Sequence, residues 1–402
     1  MTAPSRDARI VAILCLAEAL SMSGFAAYPA FLPALRLEWG MSGAQAGFVG
    51  GAFFCGYMLA VPFLSGITDR VDARNVFALS CMLAAFGIAG FAWLAHGMTG
   101  AAAWQAATGA GLAGTYMPGL KALTDRVGGP RQARYIAFYT STFGIGTSLS
   151  LWAAGWLGAL LPWRQAFLIL SAGPLAALPL ILAAVSPQAP HAAHHAPWLP
   201  RFGPVLALRE VRGYILGYAV HCWELFGLRS WMVAFIAFSY ALGNAGAQAI
   251  DATSAAALIN LLGLPASILG NEAAGKTGRQ RWIAAIMLAS GLLCWAAGFA
   301  AAWPWWLMLG VLAAYFVAVM ADSAALTAGL VAATPLAQRG AAMALYSLLG
   351  FGAGFVSPLA FGALLDLGGG SAAAWGVAFG SLGIGCLAWA AAGWRRRQRG
   401  AV

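Results

Sequence analysis

Apolar runs of about 20 residues recur along the whole chain, separated by short polar clusters. Each run is long enough to cross roughly 30 Å of hydrocarbon. About twelve are discernible, near residues 10–34, 44–65, 76–96, 101–120, 135–160, 165–185, 213–240, 250–270, 282–303, 305–333, 341–365 and 372–394. Backbone groups in lipid must be satisfied within their own segment, so these runs are expected to be helices. The pattern predicts an all-α membrane protein with about twelve transmembrane helices. The first run is longer than a signal-peptide core and carries Glu18, which marks it as a retained span.

Composition agrees. Of 402 residues 61% are hydrophobic and 8% charged, against about 25% charged in soluble domains; the mean hydropathy is +0.78. The 51 glycines fit, since glycine is commoner in membrane helices than in soluble ones. Six cysteines, Cys15, Cys55, Cys81, Cys222, Cys294 and Cys386, all fall inside apolar runs without a disulfide or CxxC spacing, and are expected to be buried thiols.

The net charge of +10 sets orientation rather than pointing to nucleic acid. All but Arg36, Arg164 and Arg229 of the 22 basic residues lie at the termini or on alternate connections, which the positive-inside rule makes cytoplasmic. Both termini are then cytoplasmic, which an even number of spans allows. Trp39, Trp163, Trp303, Trp305, Trp306 and Trp375 cluster at the opposite ends, as an interfacial belt does.

The longest polar interruption, about 186–212, contains SPQAPHAAHHAPWLP and reads as a cytoplasmic linker between two six-helix bundles, 1–185 and 213–402. His191, His194 and His195 within it are either a metal site or solvated linker residues. A shift of 206 residues superposes the halves: Glu18 falls on Glu224, Arg70 on Lys276, and Ser141, Gly144 and Gly146 on Ser347, Gly350 and Gly352. Internal repeats of this kind build many transporters.

The loop SGITDRVDARN, with Asp69, Arg70 and Arg74, resembles the signature loop of the major facilitator superfamily, G-x-x-x-D-R/K-x-G-R-R/K. NEAAGKTGRQR, with Lys276, Gly278, Arg279 and Arg281, resembles its second copy, and WRQAF at 163–167 is similar to the Trp-Arg-x-x-Phe that opens the sixth span. Ser65, Asp72 and Ala73 depart from the first copy, and Gly275 replaces the acid of the second. The resemblance implies two pseudo-symmetric bundles, a central cavity lined by the first, fourth, seventh and tenth helices, and a conformational latch at Asp69, Arg70, Arg74, Lys276 and Arg279. Gln105 stands where many proton-coupled members carry arginine. The fifth span, TFGIGTSLSLWAAGW, lacks the Gly-Pro element of drug/proton antiporters. Both departures count against a drug exporter.

Ionisable residues in mid-membrane are expensive and functional by default. Glu18, His221, Glu224, Arg229 and Asp322 are the candidates, and the 206 shift adds Tyr116 opposite Asp322. Desolvation favours a neutral carboxyl, which suits an acid to load and release a proton. The plainer reading is an acid kept neutral in a helix interface. His221 and Glu224, three apart, share a helix face and are expected to interact. Arg229 is expected to snorkel or to reach an acid on another helix.

The leading expectation is a secondary transporter for a small organic solute, proton-coupled and monomeric, in the cell (inner) membrane. It needs no cofactor and has the lipid bilayer, a solute and protons as partners. Three acids against one arginine suit a cationic or neutral solute. A second reading is transition-metal uptake through Cys15, Glu18, Met22, His221 and Glu224, a mixed soft and hard donor set. A third is a non-transporting receptor or a membrane enzyme, for which the sequence carries no GxSxG, HExxH or P-loop.

Overall fold

The computed structural model describes residues 6–188, 202–244 and 250–399. His191, His194 and His195 lie outside the described residues. The chain is helical throughout, with no strand among the described residues. In order, the helices are α1 (Arg6–Ser21), α2 (Ala27–Glu38), α3 (Gly43–Ile67), α4 (Ala73–Leu94), α5 (Met98–Arg126), α6 (Gln132–Leu160), α7 (Trp163–Ala184), α8 (Phe202–Ala207) and α9 (Arg209–Ser239). There follow α10 (Ala252–Leu261), α11 (Gly263–Thr277), α12 (Arg279–Phe299), α13 (Trp305–Met320), α14 (Ser323–Ala333), α15 (Arg339–Leu367) and α16 (Ala372–Arg399).

Ten helical stretches among the described residues are long and apolar enough to cross a membrane. The other two expected segments are helical as well. One is α5, whose 29 residues are dominated by alanine and glycine. The other is the first segment, which is broken into α1 and α2 rather than continuous.

That break and its counterpart later in the chain have identifiable causes. Between Ser21 and Ala27 the chain passes through Met22–Ser23–Gly24 in turns. The freed backbone groups are met by a side chain from α6: Ser150 Oγ accepts from Ala26 N–H (2.9 Å) and donates to the Ser23 carbonyl (2.7 Å). The tenth segment breaks at Ala321–Asp322, where the Ala321 carbonyl accepts from the Trp282 indole (3.0 Å). Side chains from neighbouring helices commonly satisfy broken backbone in this way. The eighth segment breaks too, between α10 and α11 at Leu262.

Packing divides the chain into two compact units, one of Met1–Phe31 with Ala52–Trp198 and the other of Leu32–Gly51 with Leu199–Val402. The chain leaves the first unit within α2 and returns to it within α3. Each unit has its own apolar core. In the first, Leu14, Ala17, Phe77, Cys81, Tyr139 and Ile181 meet; in the second, Val211, Ile215, Ile283, Met287, Leu326 and Cys386 meet. Small residues let helices approach, as in other membrane bundles. A methyl on Gly56 of α3 would overlap the Ala106 carbonyl of α5, and one on Gly109 of α5 would overlap that of Phe53. Large apolar side chains such as Trp93, Phe86, Trp152 and Trp156 point outward, toward lipid. Cys81, Cys222, Cys294 and Cys386 are buried as expected, but Cys15 and Cys55 only partly.

Candidate transport site

In the first unit, Glu18 on α1 is fully buried. It sits one turn before the break, and Ser21, three residues on, lies beside it with Oγ 3.4 Å from Glu18 Oε2. The Tyr139 hydroxyl, from α6, lies 3.3 Å from the same oxygen and 3.0 Å from the Thr115 carbonyl of α5. Ser21 also reaches the Thr115 hydroxyl at 3.3 Å. Glu18 Oε1 is buried with no hydrogen-bond partner. Tyr116 is half-buried beside this group, its ring stacked on Tyr139 at 6.1 Å and edge-on to Phe143 at 5.3 Å. The acid thus faces α5 and α6 through hydroxyl groups, all long or at the limit of hydrogen-bond length.

In the second unit the ionisable residues form two groups, not one. Glu224 on α9 is 1% exposed, and its Oε2 accepts from Ser290 Oγ of α12 and Cys386 Sγ of α16, each at 3.0 Å. Tyr315 of α13 turns its hydroxyl toward the same carboxyl. Glu224 Oε1, like Glu18 Oε1, has no hydrogen-bond partner. His221 does not pair with Glu224, contrary to the helix-face expectation. Its Nδ1 lies 2.7 Å from Asp322 Oδ1, at an angle outside that of a regular hydrogen bond. The physical reason is the break before α14, which places Asp322 opposite α9. Below this pair Tyr218, His221 and Tyr346 stack, with Tyr218 and Tyr346 only 3.7 Å apart, and Tyr346 is fixed by Thr327 at 2.8 Å.

Arg229 does not snorkel free, and it meets no acid among the described residues. Its Nε donates to Asn260 Oδ1 of α10 at 2.9 Å, and its guanidinium lies 5.6 Å from the Phe316 ring centre. The amide and the ring face stabilise the cation in place of a carboxylate.

No group of three or more His, Cys, Asp or Glu that could hold a metal ion exists among the described residues. Met22 is buried against Gly146, and Glu18 is engaged by hydroxyls. The metal reading gains no support.

The signature loop is built differently from expectation. Asp69 and Arg70 are exposed; no ion pair of Asp69 occurs among the described residues. Asp72, a departure from the signature, is the hub. It caps α4 by accepting from Arg74 N–H (3.0 Å), and both its oxygens lie 2.7 Å from Arg126 Nη2 at the end of α5. It also accepts from Gln188 N–H at 2.8 Å. Arg126 in turn donates to the Ser186 carbonyl, and Arg74 to the Leu182 carbonyl at the end of α7 (2.6 Å). Three helix ends of one unit are thereby tied together. Burial raises the Asp72 carboxyl, but the hydrogen bonds from Arg126, Gln188 and Arg74 outweigh it, and the net shift is downward from 3.8.

The second copy carries no such hub. Gly278, at φ +92°, turns the chain from α11 into α12, a conformation that favours glycine. Lys276 is exposed, and Arg279 is half-buried, its Nε without a hydrogen-bond partner among the described residues.

Sequence reasoning missed Thr115, Ser290, Cys386, Tyr315, Asn260 and Arg126. Ser21 could have been found from its i+3 spacing to Glu18. Arg126 stands in a basic loop where nothing marks its partner, and the others come from distant helices, where the signal is a polar residue in an apolar run.

The long apolar helices and the outward-facing large apolar side chains define an integral membrane protein. The family model of the Major Facilitator Superfamily matches residues 14–289, and the chain belongs to that superfamily. No curated protein matches it in sequence. Among solved structures, a bacterial homologue of the human lysosomal transporter Spinster, inward-facing and unoccupied, superposes with a TM-score of 0.75 at 14% identity, covering 98% of this chain and 96% of the other. The same homologue, inward-facing and occupied, gives 0.72 at 17% identity, covering 99% and 98%. The human organic anion transporter MFSD10 (TETRAN) gives 0.66 at 19%, covering 96% and 100%. At these identities the likeness is one of fold.

Proposed function

We propose that this protein is a secondary active transporter that moves a small organic solute across the cell membrane by alternating access, coupled to protons. Its moving halves are residues 1–185 and 213–402, joined by a cytoplasmic linker at 186–212, with both termini cytoplasmic and the monomer as the working unit. Glu18, Tyr116, His221, Glu224, Arg229 and Asp322 are the residues assigned to solute binding or proton coupling. Asp69, Arg70, Arg74, Lys276 and Arg279 are assigned to the latch between conformational states.

The observation that carries the coupling is Glu18: a fully buried carboxyl with one oxygen lacking any partner and the other reached only by hydroxyls. Burial without a cation favours the neutral acid, and the hydroxyls beside Oε2 soften the cost of its ionised form, which is what a group that takes up and releases a proton needs. His221 and Asp322, with Nδ1 and Oδ1 2.7 Å apart, are the second group proposed to take part. Although MFSD10 is named for organic anions, Glu18, Glu224 and Asp322 against the single Arg229 favour a cationic or neutral solute here.

The test begins with a thermal-shift screen of purified protein against organic cations, neutral solutes and organic anions, since a ligand of the folded state raises its apparent stability. The best binder is then followed in proteoliposomes under an imposed pH gradient. Accumulation that collapses with a protonophore, with counterflow intact, is the expected result. A binder that shows no counterflow, or accumulation indifferent to the protonophore, refutes the proposal.

A further inference from the structure

At the end of the spans opposite the basic loops, the second unit contains an open cavity of about 670 Å³. It lies where α2 and α9 finish, α15 ends and α16 starts. Its floor is Met41, Trp231, Leu365 and Trp375, all buried to 5% exposure or less, and its rim includes Phe238 and Leu37, the latter 85% exposed. A pocket of this size suits a small amphiphile or part of a lipid. A large apolar concavity with an exposed leucine at its lip marks a binding surface rather than a core defect.

One cation stands at this cavity, Arg36. Its Nε is spent on the Met41 carbonyl (3.2 Å), and its Nη2 lies 3.7 Å from Asp366 Oδ1. Both side chains of that pair are about one-third exposed (35% and 31%), so it contributes little. Asp366 is committed elsewhere: it accepts from the Gly43 and Ala44 N–H groups at the start of α3, at 2.6 and 2.8 Å. Arg36 therefore keeps a guanidinium edge for a stronger acceptor. Glu38, two positions on, leaves α2 from a different face and does not line the cavity.

We infer that this cavity seats one anionic phospholipid of the surrounding bilayer, its acyl chains on the Trp231–Trp375 floor and its phosphate at Arg36. The occupant is a membrane lipid because the protein is integral to the membrane, so that at span ends lipid is the solvent at molar excess. Tryptophan at this level is the side chain that accommodates headgroup and chain together. The headgroup is anionic because the polar contact on offer is a guanidinium, which binds phosphate with charge-assisted hydrogen bonds. Neither Glu18 nor Glu224, His221 or Asp322 lines this cavity, and its occupancy does not depend on the proposed coupling.

The experiment is native mass spectrometry of the full-length protein in detergent, titrated with dioleoylphosphatidylglycerol, dioleoylphosphatidylcholine or oleate. Wild type is expected to retain one phosphatidylglycerol at concentrations where phosphatidylcholine is lost. Arg36→Gln should weaken phosphatidylglycerol retention roughly tenfold, the loss of one charge-assisted contact, and bring the two phospholipids level. Leu37→Asp, at an exposed position that does not bear on folding, should weaken it as well. Arg209→Gln, at a basic residue of the opposite end, should leave it unchanged. Equal retention of both phospholipids by wild type, or unchanged retention in both cavity variants, overturns the assignment. Oleate binding as tightly as phosphatidylglycerol and with the same Arg36 dependence overturns it in favour of a free fatty acid.

Discussion

Glu18 and Glu224 occupy the same position in two copies of one repeat, yet they look in different directions. Glu18 is met by the Tyr139 hydroxyl of α6 and by Ser21, which in turn reaches Thr115 of α5, so that its contacts run to the fourth and fifth segments of its half. Glu224 is met by Ser290 of α12 and Cys386 of α16, the third and sixth segments of the other half. The 206 shift places Ala84 opposite Ser290 and Leu180 opposite Cys386, so no partner is shared. Duplication conserved the acid and its helix while the two environments diverged. In the second half the group facing the fourth-helix equivalent is His221, paired with Asp322. The pseudo-symmetric counterpart of Glu18 in geometry is thus the His221–Asp322 pair, not Glu224.

That comparison breaks most decisively on transport. Glu18→Gln should abolish accumulation driven by a proton gradient and leave solute exchange within about threefold of wild type, because exchange needs only the loaded carrier to change state. Glutamine keeps size and hydrogen bonding but cannot titrate. Glu224→Gln should keep accumulation coupled to the proton gradient, since its amide oxygen can still accept from Ser290 and Cys386, and should show its role as a change of more than about threefold in the apparent affinity for solute. Proteoliposome uptake with and without an imposed pH gradient separates the two. The opposite ranking, Glu224→Gln uncoupled and Glu18→Gln normal, would return the coupling role to Glu224 and void the directional argument.

The second prediction concerns the His221–Asp322 contact. Asp322→Ala leaves His221 buried without its partner, and should lower stability by about 2–3 kcal/mol, the cost of an unsatisfied buried polar group. Asp322→Asn retains an acceptor for the ring and should cost about 1 kcal/mol. Denaturation of the purified variants measures both. Equal and small losses would mean that the 2.7 Å approach contributes no stabilisation.

The spans and the repeat were legible because lipid imposes one rule on every segment: twenty apolar residues, helical, with charges at the ends. Ionisable residues inside such runs stand out for the same reason, so Glu18, His221, Glu224, Arg229 and Asp322 could be named from sequence. Their partners could not. Whether His221 meets Glu224 or Asp322 depends on a helix break at Ala321–Asp322, and the sequence there, VMADSAAL, carries no proline or glycine to announce it. Gly24 does mark the first break, but Ser150, 124 residues away from Ala26, helps to make it tolerable. The loop shows the opposite failure. Matching residues to the signature drew attention to Asp69 and away from Asp72, although an aspartate directly before a helix is an N-cap signal on its own.

The smallest effects separate the two signature loops. Arg126→Gln removes the partner of Asp72, a pair whose side chains are only 4% and 9% exposed, and should cost about 2–3 kcal/mol, toward the lower end for a pair near the surface. Lys276→Gln, at an exposed position, should change stability by less than about 0.5 kcal/mol. The pH dependence follows from Asp72. Its carboxyl is held below 3.8 in the folded protein, so its contribution is complete above about pH 4 and is lost as the pH falls through the folded value. Wild type should therefore lose stability on acidification below pH 4 more steeply than Asp72→Asn, which has no titrating group there and begins less stable. Asp69→Asn, exposed and without an ion pair among the described residues, should follow the wild-type curve in stability. Any effect it has on transport rate then reports the latch between states rather than the clamp within one unit. Parallel acid melts of wild type and Asp72→Asn would place the acid sensitivity elsewhere and reduce Asp72 to its role as the cap of α4.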